Sequence, residues 1–430
     1  MRVLVIGGGA REHALVTRLA ADPAVTVECA PGNPGIAEFV AVHPVDQADP
    51  DDLLVLAVRL GVDLTVVGPE LPLSAGVADR FAEARQLLLG PTAAAARLES
   101  SKSFAKAFMA RHNVPTARFH VAESEADALA FVRAAAFGFP VVLKADGLAA
   151  GKGVVIAQDL VEAETMIVDA MTGRRFGSAG ERLVIEECMR GPEVSFFVLS
   201  DGVRALPIGT AQDHKRIFDN DLGPNTGGMG AFAPSPLIDA ALHEQVMRDI
   251  VRPVIDGMAA EGNPFKGFLY VGLMLTTDGP RVIEFNVRLG DPEAQVILPR
   301  IAEPLAPLLA AAARGALEQE RCVLNDDRLV GVVLASRGYP ESAESDQPIT
   351  GIDTARRLGV SVLHAGTSLN DGRLVTAGGR VLTVVAGGAD FVEARTRAYE
   401  GIHAIRFDGM QYRKDIGLKA LMKMREHGRH

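Results

Sequence analysis

Cysteine is scarce in this chain: Cys29, Cys188 and Cys322 are all it has, far apart and without paired spacing. No disulfide framework or thiolate metal site can be read from them, which suits a reducing, cytoplasmic setting. Positive charge is in deficit, 44 Lys and Arg against 54 Asp and Glu for a formal net charge of −10. That excludes broad electrostatic capture of nucleic acid, so any anionic ligand has to be caught in a local pocket. No apolar run approaches the roughly 18 uninterrupted residues of a membrane span. Met1-Arg2-Val3-Leu4-Val5-Ile6 leads straight into a strand without a long apolar signal core, so the expectation is a protein neither secreted nor membrane-bound. Polar low-complexity tracts and internal repeats are also missing. What is there, 48% apolar and 23% charged residues over 430 positions, is the balance of a soluble globular protein, with a prior of about three domains.

Short β-branched runs at 3–6, 25–30, 64–67 and 87–89 alternate with helical patterns near 12–21, 50–60 and 75–84. Strands separated by helices predict a doubly wound parallel-sheet α/β domain over 1–100. A helix near 100–112 opens the next region, 101–325. It divides into a small αβ lobe at about 115–187, with strands at 140–145 and 153–157, and a larger lobe at about 188–325. Strands at 194–199, 205–209, 270–276 and 281–285 predict an antiparallel sheet carrying two helices there. The rest, 326–430, reads as a small α+β domain with strands at 330–335, 361–365 and 380–385 and a helix near 390–405.

Gly7-Gly8-Gly9 follows the first strand and opens a helix, a place where backbone N–H groups can face an anion. The dinucleotide fingerprint wants a third glycine where Glu12 stands, and Arg11 would crowd a bridging pyrophosphate, which disfavours a nicotinamide cofactor. Glu28, at the end of the second strand, keeps that reading open as the minor alternative. Pro31-Gly32-Asn33-Pro34-Gly35 and Gly68-Pro69-Glu70 leave later strands on the same rim, where an open parallel sheet binds ligands. Each alone is an ordinary turn. Lys144 ends a strand and leads into a loop of small residues through Gly151 to Gly153, which can fold over nucleotide phosphates without being a P-loop. Lys106 could reach the same phosphates, although in isolation it reads as a surface charge. Glu186, Glu187 and Glu193 close another strand at a linker where a purine and its ribose could lie, or are simply surface acids.

Glu284, Asn286 and Arg288 alternate on one strand and its continuation, so their side chains share a face. A carboxylate and an amide oxygen are hard ligands for Mg²⁺, and an adjacent arginine can hold a small carboxylate. Asp213-His214-Lys215-Arg216, followed by the glycine loop that begins at Asn225 and ends at Gly230, reads as an anion clamp or lid.

The ordered set of these motifs resembles the phosphoribosylamine–glycine ligase family, the ATP-grasp enzymes of purine biosynthesis also called glycinamide ribonucleotide synthetases. Gly9-Ala-Arg-Glu-His-Ala14, Ala30-Pro-Gly-Asn33, Val67-Gly-Pro-Glu70, Lys144-Ala-Asp-Gly-Leu-Ala-Ala-Gly-Lys-Gly153, Asp213-His-Lys-Arg216, Gly223-Pro-Asn-Thr-Gly-Gly-Met-Gly230, Glu284-Phe-Asn286, Arg288, Gly290-Asp-Pro-Glu293 and Tyr412-Arg-Lys-Asp-Ile-Gly417 carry the likeness. The resemblance implies an N-terminal phosphoribosylamine-binding domain, two ATP-grasp lobes and a C-terminal domain, acting as a cytoplasmic monomer on glycine, 5-phosphoribosylamine and ATP, without nucleic acid or membrane partners. It assigns Glu284 and Asn286 to Mg²⁺ or Mn²⁺, and Lys106, Lys144, Gly151, Gly153, Glu186, Glu187 and Glu193 to ATP. Gly8, Gly9, Arg11, Glu12, Asn33, Glu70, Asp213, His214, Lys215, Arg216, Asn225, Arg288 and Asp291 go to the other substrates, with Arg288, Lys144 and Asp213 in the chemistry. The implied reaction passes through glycyl phosphate, with the Gly151 and 227–230 loops as lids. Another ATP-grasp ligase or carboxylase remains the nearer rival, and a nicotinamide-dependent oxidoreductase the more distant one.

Overall fold

The computed structural model describes residues 1–147, 153–173 and 177–427. The first sheet is wholly parallel, its strands in the spatial order Ala41–Val42, Thr26–Pro31, Arg2–Gly7, Leu64–Val67, Leu88–Leu89. Val3 through Ile6 are fully buried, the apolar run required of a strand covered on both faces. After Ala41–Val42 the chain crosses back to the far side of Arg2–Gly7, which sets a switch point beside that strand. The Gly7 turn and the Gly68 turn flank the crevice there. The helix expected over 75–84 is Val77–Glu83, and a further short helix, Glu70–Ser74, precedes it, the two kept apart by Gly76 at φ +88, a left-handed geometry that ends a helix.

The small lobe is an antiparallel sheet ordered Phe119–Ala122, Leu183–Glu187, Val141–Ala145, Val154–Ala157. Helices Glu125–Arg133 and Leu160–Met171 bury Ala128, Val132, Ala163 and Ile167 against it. The larger lobe holds an antiparallel sheet ordered Gly279–Asn286, Lys266–Thr276, Glu193–Asp201, Ala205–Asp213, Gly230–Ala233, Arg328–Ala335, Arg380–Gly388, Ser361–His364. The strands of the C-terminal region prolong this sheet through Gly230–Ala233. Of the described residues, no helix is long and apolar enough to cross a membrane.

Helix Ala10–Ala20 meets the C-terminal region at a pair of histidines. His13 Nδ1 accepts the His364 N–H at 2.8 Å, the rings lie 5.6 Å apart, and His364 Nδ1 is 3.1 Å from Thr367 Oγ1. Burial, with the neighbouring His364 and Arg356, pushes His13 down to about 3, and burial with Arg356 pushes His364 down to about 4. Both stay neutral in the fold, while in the unfolded chain they bind protons below roughly pH 6.5. Their stabilisation is thus complete above that pH and is lost as pH falls toward 4 and then 3. We expect the thermal midpoint to fall steadily between pH 7 and pH 4.5; a flat profile in a melting series would contradict it.

Candidate active site

Strand Gly279–Asn286 lies at the sheet edge, with Gly272 of the neighbouring strand opposite Glu284 and Tyr270 opposite Asn286. Burial pushes the Glu284 carboxyl up, but Lys215, Lys102, Lys144 and Arg288 outweigh it and hold the group below the usual carboxylate range. Lys102 went unmarked in the sequence, although it stands four residues before Lys106 on helix Lys102–Arg111 and so shares a face with it. Hydrogen bonding assigns the nitrogen of the Asn286 amide, rather than its oxygen, to the side of Glu99 Oε1 and the Phe285 carbonyl, to which it then donates at 3.0 and 3.3 Å. Arg288 donates from Nη2 to Glu99 at 2.8 Å, from Nε to Glu70 at 3.2 Å and from Nη1 to the Leu289 carbonyl at 3.2 Å. Burial pushes the Glu70 carboxyl up, yet Arg288 and Arg11 bring it below its ordinary value.

On the small-lobe side a buried triad faces this strand. Lys106 Nζ and Lys144 Nζ lie 3.0 and 2.9 Å from the two oxygens of Glu186, and all three residues are under 5% exposed. Lys144 also donates to the Ile283 carbonyl at 3.1 Å, and Lys106 to Thr116 at 2.7 Å. Burial, reinforced by Lys144 and opposed by Glu186, pulls Lys106 down to about 8. Asp146, quoted in the motif without a role, accepts from the Ser103 N–H at 3.0 Å and from the Ser101 and Ser103 hydroxyls. It thereby ties the start of the helix carrying Lys102 and Lys106 to the strand carrying Lys144. Glu187, one residue on, points to the other face: its carboxylate is taken up by the Arg118 N–H and guanidinium at 2.9 and 2.6 Å. Its side chain is thus engaged away from the triad, which leaves its backbone for the expected contact with ATP. Gly153 accepts the Ala145 N–H at 2.8 Å and closes the hairpin; Gly151 lies outside the described residues.

Alternation sorts the Asp213–Arg216 cluster. Lys215 lies 2.7 Å from Glu193, and Asp213, Glu193, Tyr270 and Glu284 raise it well above an ordinary lysine despite its burial. Asp213 shares that face, its carboxyl pushed up by burial against the pull of Lys215. Glu293, part of the Gly290-Asp-Pro-Glu293 motif but given no role there, receives the Ser195 hydroxyl at 3.1 Å. Burial and the charge of Asp213 push it up to about 7. His214 points the other way, fully buried beside Phe232, and burial with Lys419 and Arg413 pushes it down to about 3. Its side chain, just past the end of strand Ala205–Asp213, is therefore buried away from the expected substrate site. Arg216 and Asn225 sit opposite each other on the two-stranded ribbon of Arg216–Phe218 and Leu222–Asn225, where Arg216 donates to the Gly223 carbonyl at 2.7 Å.

The expected 227–230 lid is stitched down. Gly227 donates its N–H to Tyr339 Oη at 2.9 Å and accepts from Arg380 Nη1 at 2.6 Å, while Met229 is fully buried. A closing lid has few such anchors. Arg380 also holds the Asp291 carboxylate at 3.0 Å, and Gln295 holds its other oxygen at 2.6 Å. Neither Arg380 nor Tyr339 carried a sequence signal.

At the parallel-sheet rim, Glu12 accepts the Gly9 N–H at 2.7 Å and Arg11 Nε at 2.5 Å, and Arg11 also donates to the Leu289 carbonyl at 3.2 Å. A Cβ at Gly7 would lie 2.5 Å from Glu12 Cγ, so that glycine makes room for a side chain rather than a pyrophosphate. A Cβ on Gly8 would meet the Gly32 carbonyl at 2.5 Å, and one on Gly9 would stand 3.9 Å from Asp291 Oδ2. The turn therefore faces Asp291, in the segment that follows the site strand. Asn33 is spent on structure: its amide nitrogen donates to the Gly8 and His364 carbonyls at 2.9 Å each, and its oxygen caps Ile36 at 3.0 Å.

Comparison with known proteins fits this arrangement. Family models described as the N, ATP-grasp (A) and C domains of phosphoribosylglycinamide synthetase match residues 1–99, 100–294 and 329–419. A phosphoribosylamine–glycine ligase of Xylella fastidiosa (strain Temecula1) is 50% identical over 432 residues, covering 99% of each chain. The crystal structure of phosphoribosylamine–glycine ligase from Thermotoga maritima superposes with a TM-score of 0.83 at 33% identity, over 96% of this chain and 100% of that one. A biotin carboxylase from Campylobacter jejuni, with a TM-score of 0.73 at 15% identity over 97% and 94% of the two chains, shares the fold alone. The three domain matches and the identity across the full length establish that this chain belongs to the phosphoribosylglycinamide synthetase family.

Proposed function

We propose that the site joins glycine to 5-phosphoribosylamine through glycyl phosphate, giving glycinamide ribonucleotide, ADP and phosphate, with Arg288, Lys144 and Asp213 in the roles derived below. ATP-dependent ligation in purine biosynthesis is the activity of the family; the division of labour among residues is our reading. The observation that carries it is the shared face of Glu284, Asn286 and Arg288, flanked on one side by the Lys106–Glu186–Lys144 triad and on the other by the Gly8–Gly9 turn.

A carboxylate does not condense with an amine at neutral pH because oxide is a poor leaving group. Phosphorylation supplies a better one. The glycine carboxylate attacks the γ-phosphate, and the phosphoribosylamine nitrogen then displaces phosphate from the acyl carbon. No enzyme nucleophile is required, so the protein's part is alignment, worth on the order of 7–11 kcal/mol, and charge neutralisation. Arg288 has five N–H groups, of which three are engaged; one remains on each terminal nitrogen, enough to hold the glycine carboxylate. Lys144 and Lys106 would neutralise the nucleotide phosphates. Asp213 and Glu293 offer acceptors to the glycine ammonium, and Glu293, pushed up to about 7, can take or release a proton near neutrality.

Glu284, kept ionised inside the cleft, and the Asn286 oxygen, left free by the placement of its nitrogen, are a fitting pair of hard donors for Mg²⁺ or Mn²⁺. No group of three His, Cys, Asp or Glu that could hold a metal occurs among the described residues, so other contacts would come from phosphates and water. Such an ion supplies charge neutralisation on the transferring phosphoryl group. We place the enzyme in the cytoplasm as a monomer.

ADP release by purified protein should require glycine and 5-phosphoribosylamine together. Release driven by bicarbonate would favour an ATP-grasp carboxylase, and turnover of NAD(H) an oxidoreductase.

A further inference from the structure

One buried carboxylate lies behind the face just described. Glu99, on helix Ala93–Ser100 and 7% exposed, accepts from three successive residues, the last of the site strand and the two that follow it. Its Oε1 takes Arg288 Nη2 at 2.8 Å and its Oε2 the Val287 N–H at 2.8 Å, and the Asn286 amide, whose nitrogen these neighbours assign to the same side, donates to Oε1 at 3.0 Å. Three contacts in a row fix more than charge. An amide rotated by half a turn would present N–H groups to the cation side, so the side chain that claims the Asn286 nitrogen decides that its oxygen faces outward. The same carboxylate occupies one N–H of Arg288 Nη2 and keeps the guanidinium plane in register with the strand.

We infer that Glu99 is a positioning residue: it orients the Asn286 oxygen toward the divalent cation and the Arg288 fork toward the glycine carboxylate. The inference rests on the reading of Asn286 and Arg288 given above. Partners of this kind, standing behind a ligand, usually alter metal affinity or activity by about 10–100-fold.

Glu99→Gln tests it with almost no change of volume. A glutamine has one oxygen for two jobs: turned to Arg288 and Asn286 it sets its NH₂ against the Val287 N–H, and turned the other way it sets NH₂ against both side chains. KM for glycine should rise about 10–100-fold while KM for ATP stays within about two-fold. Mn²⁺ binding to the ATP-loaded protein, followed by electron paramagnetic resonance without turnover, should weaken about 10-fold or more. Unchanged glycine KM and Mn²⁺ binding would overturn the assignment, and so would a fall in kcat with both KM values intact, the mark of a merely structural residue. Should E99Q fail to fold, E99D keeps the charge but withdraws the carboxylate by one methylene and is expected to show the same split. If neither folds, Glu99 is a folding residue and the inference fails. If instead the wild-type enzyme needs no glycine, the proposed reaction falls, and the Mn²⁺ comparison still decides whether Glu99 orients Asn286.

Discussion

Glu284→Ala is expected to lower ADP release in the presence of both substrates by about a thousand-fold or more, with KM for ATP changed far less. Removing a single preorganised group that acts on developing charge commonly costs about 10²–10³ in rate, and Glu284 has a second task. It is the carboxylate around which Lys215, Lys102, Lys144 and Arg288 gather, and their fields hold it ionised against its burial. Without it that wall keeps its cations and loses their counter-charge. Nucleotide phosphates should still be attracted, while a cation would lose its one charged protein donor. Glu284→Gln, which keeps an oxygen and the volume but not the charge, should fall between alanine and wild type. Steady-state ADP release at saturating MgATP measures this, and E284A retaining more than about a tenth of wild-type turnover would remove Glu284 from the metal and phosphate chemistry.

Much of this wall was legible in the sequence because the signal is local. Strand residues alternate, so Glu284 and Asn286 had to share a face wherever the strand packed, with Arg288 two residues past its end. Lys144 at a strand end, and the apolar run of Val3 to Ile6, were readable on the same ground. Side chains next to each other in sequence part company: Glu187, after Glu186, is held by Arg118, and His214, after Asp213, packs beside Phe232. What stayed hidden comes from distant sequence. Glu99 meets Arg288 across 189 residues and Arg380 meets Asp291 across 89, contacts that no spacing rule reaches. The continuation of the large sheet into the C-terminal strands depends on Gly230–Ala233 pairing with Arg328–Ala335, and a four-residue strand inside a glycine-rich stretch carries little pattern of its own.

The second large effect concerns the triad. Glu186→Ala should lower the stability of the folded protein by about 3–5 kcal/mol, the range seen when one member of a buried ion pair is removed and its partner is left uncompensated. Here two ammonium groups, 3.0 and 2.9 Å from the lost oxygens, are left facing each other in a site under 5% exposed. One route of relief is available. Lys106 is already pulled down to about 8 by burial, and without Glu186 it should fall further and shed its proton near neutrality. A lysine depressed in the fold is protonated more readily in the unfolded chain, so stability rises with pH through the window between its folded and unfolded values. The deficit of E186A in urea unfolding should therefore be larger at pH 6.5 than at pH 9, where Lys106 is largely neutral in both proteins. On the proposed role of the two lysines, ATP phosphates would take the place of the lost carboxylate, and ATP should raise the midpoint of the variant more than that of the wild type. A deficit below about 1 kcal/mol, or one equal at the two pH values, would mean that the lysines are solvated and that the triad is not the phosphate-binding wall described here.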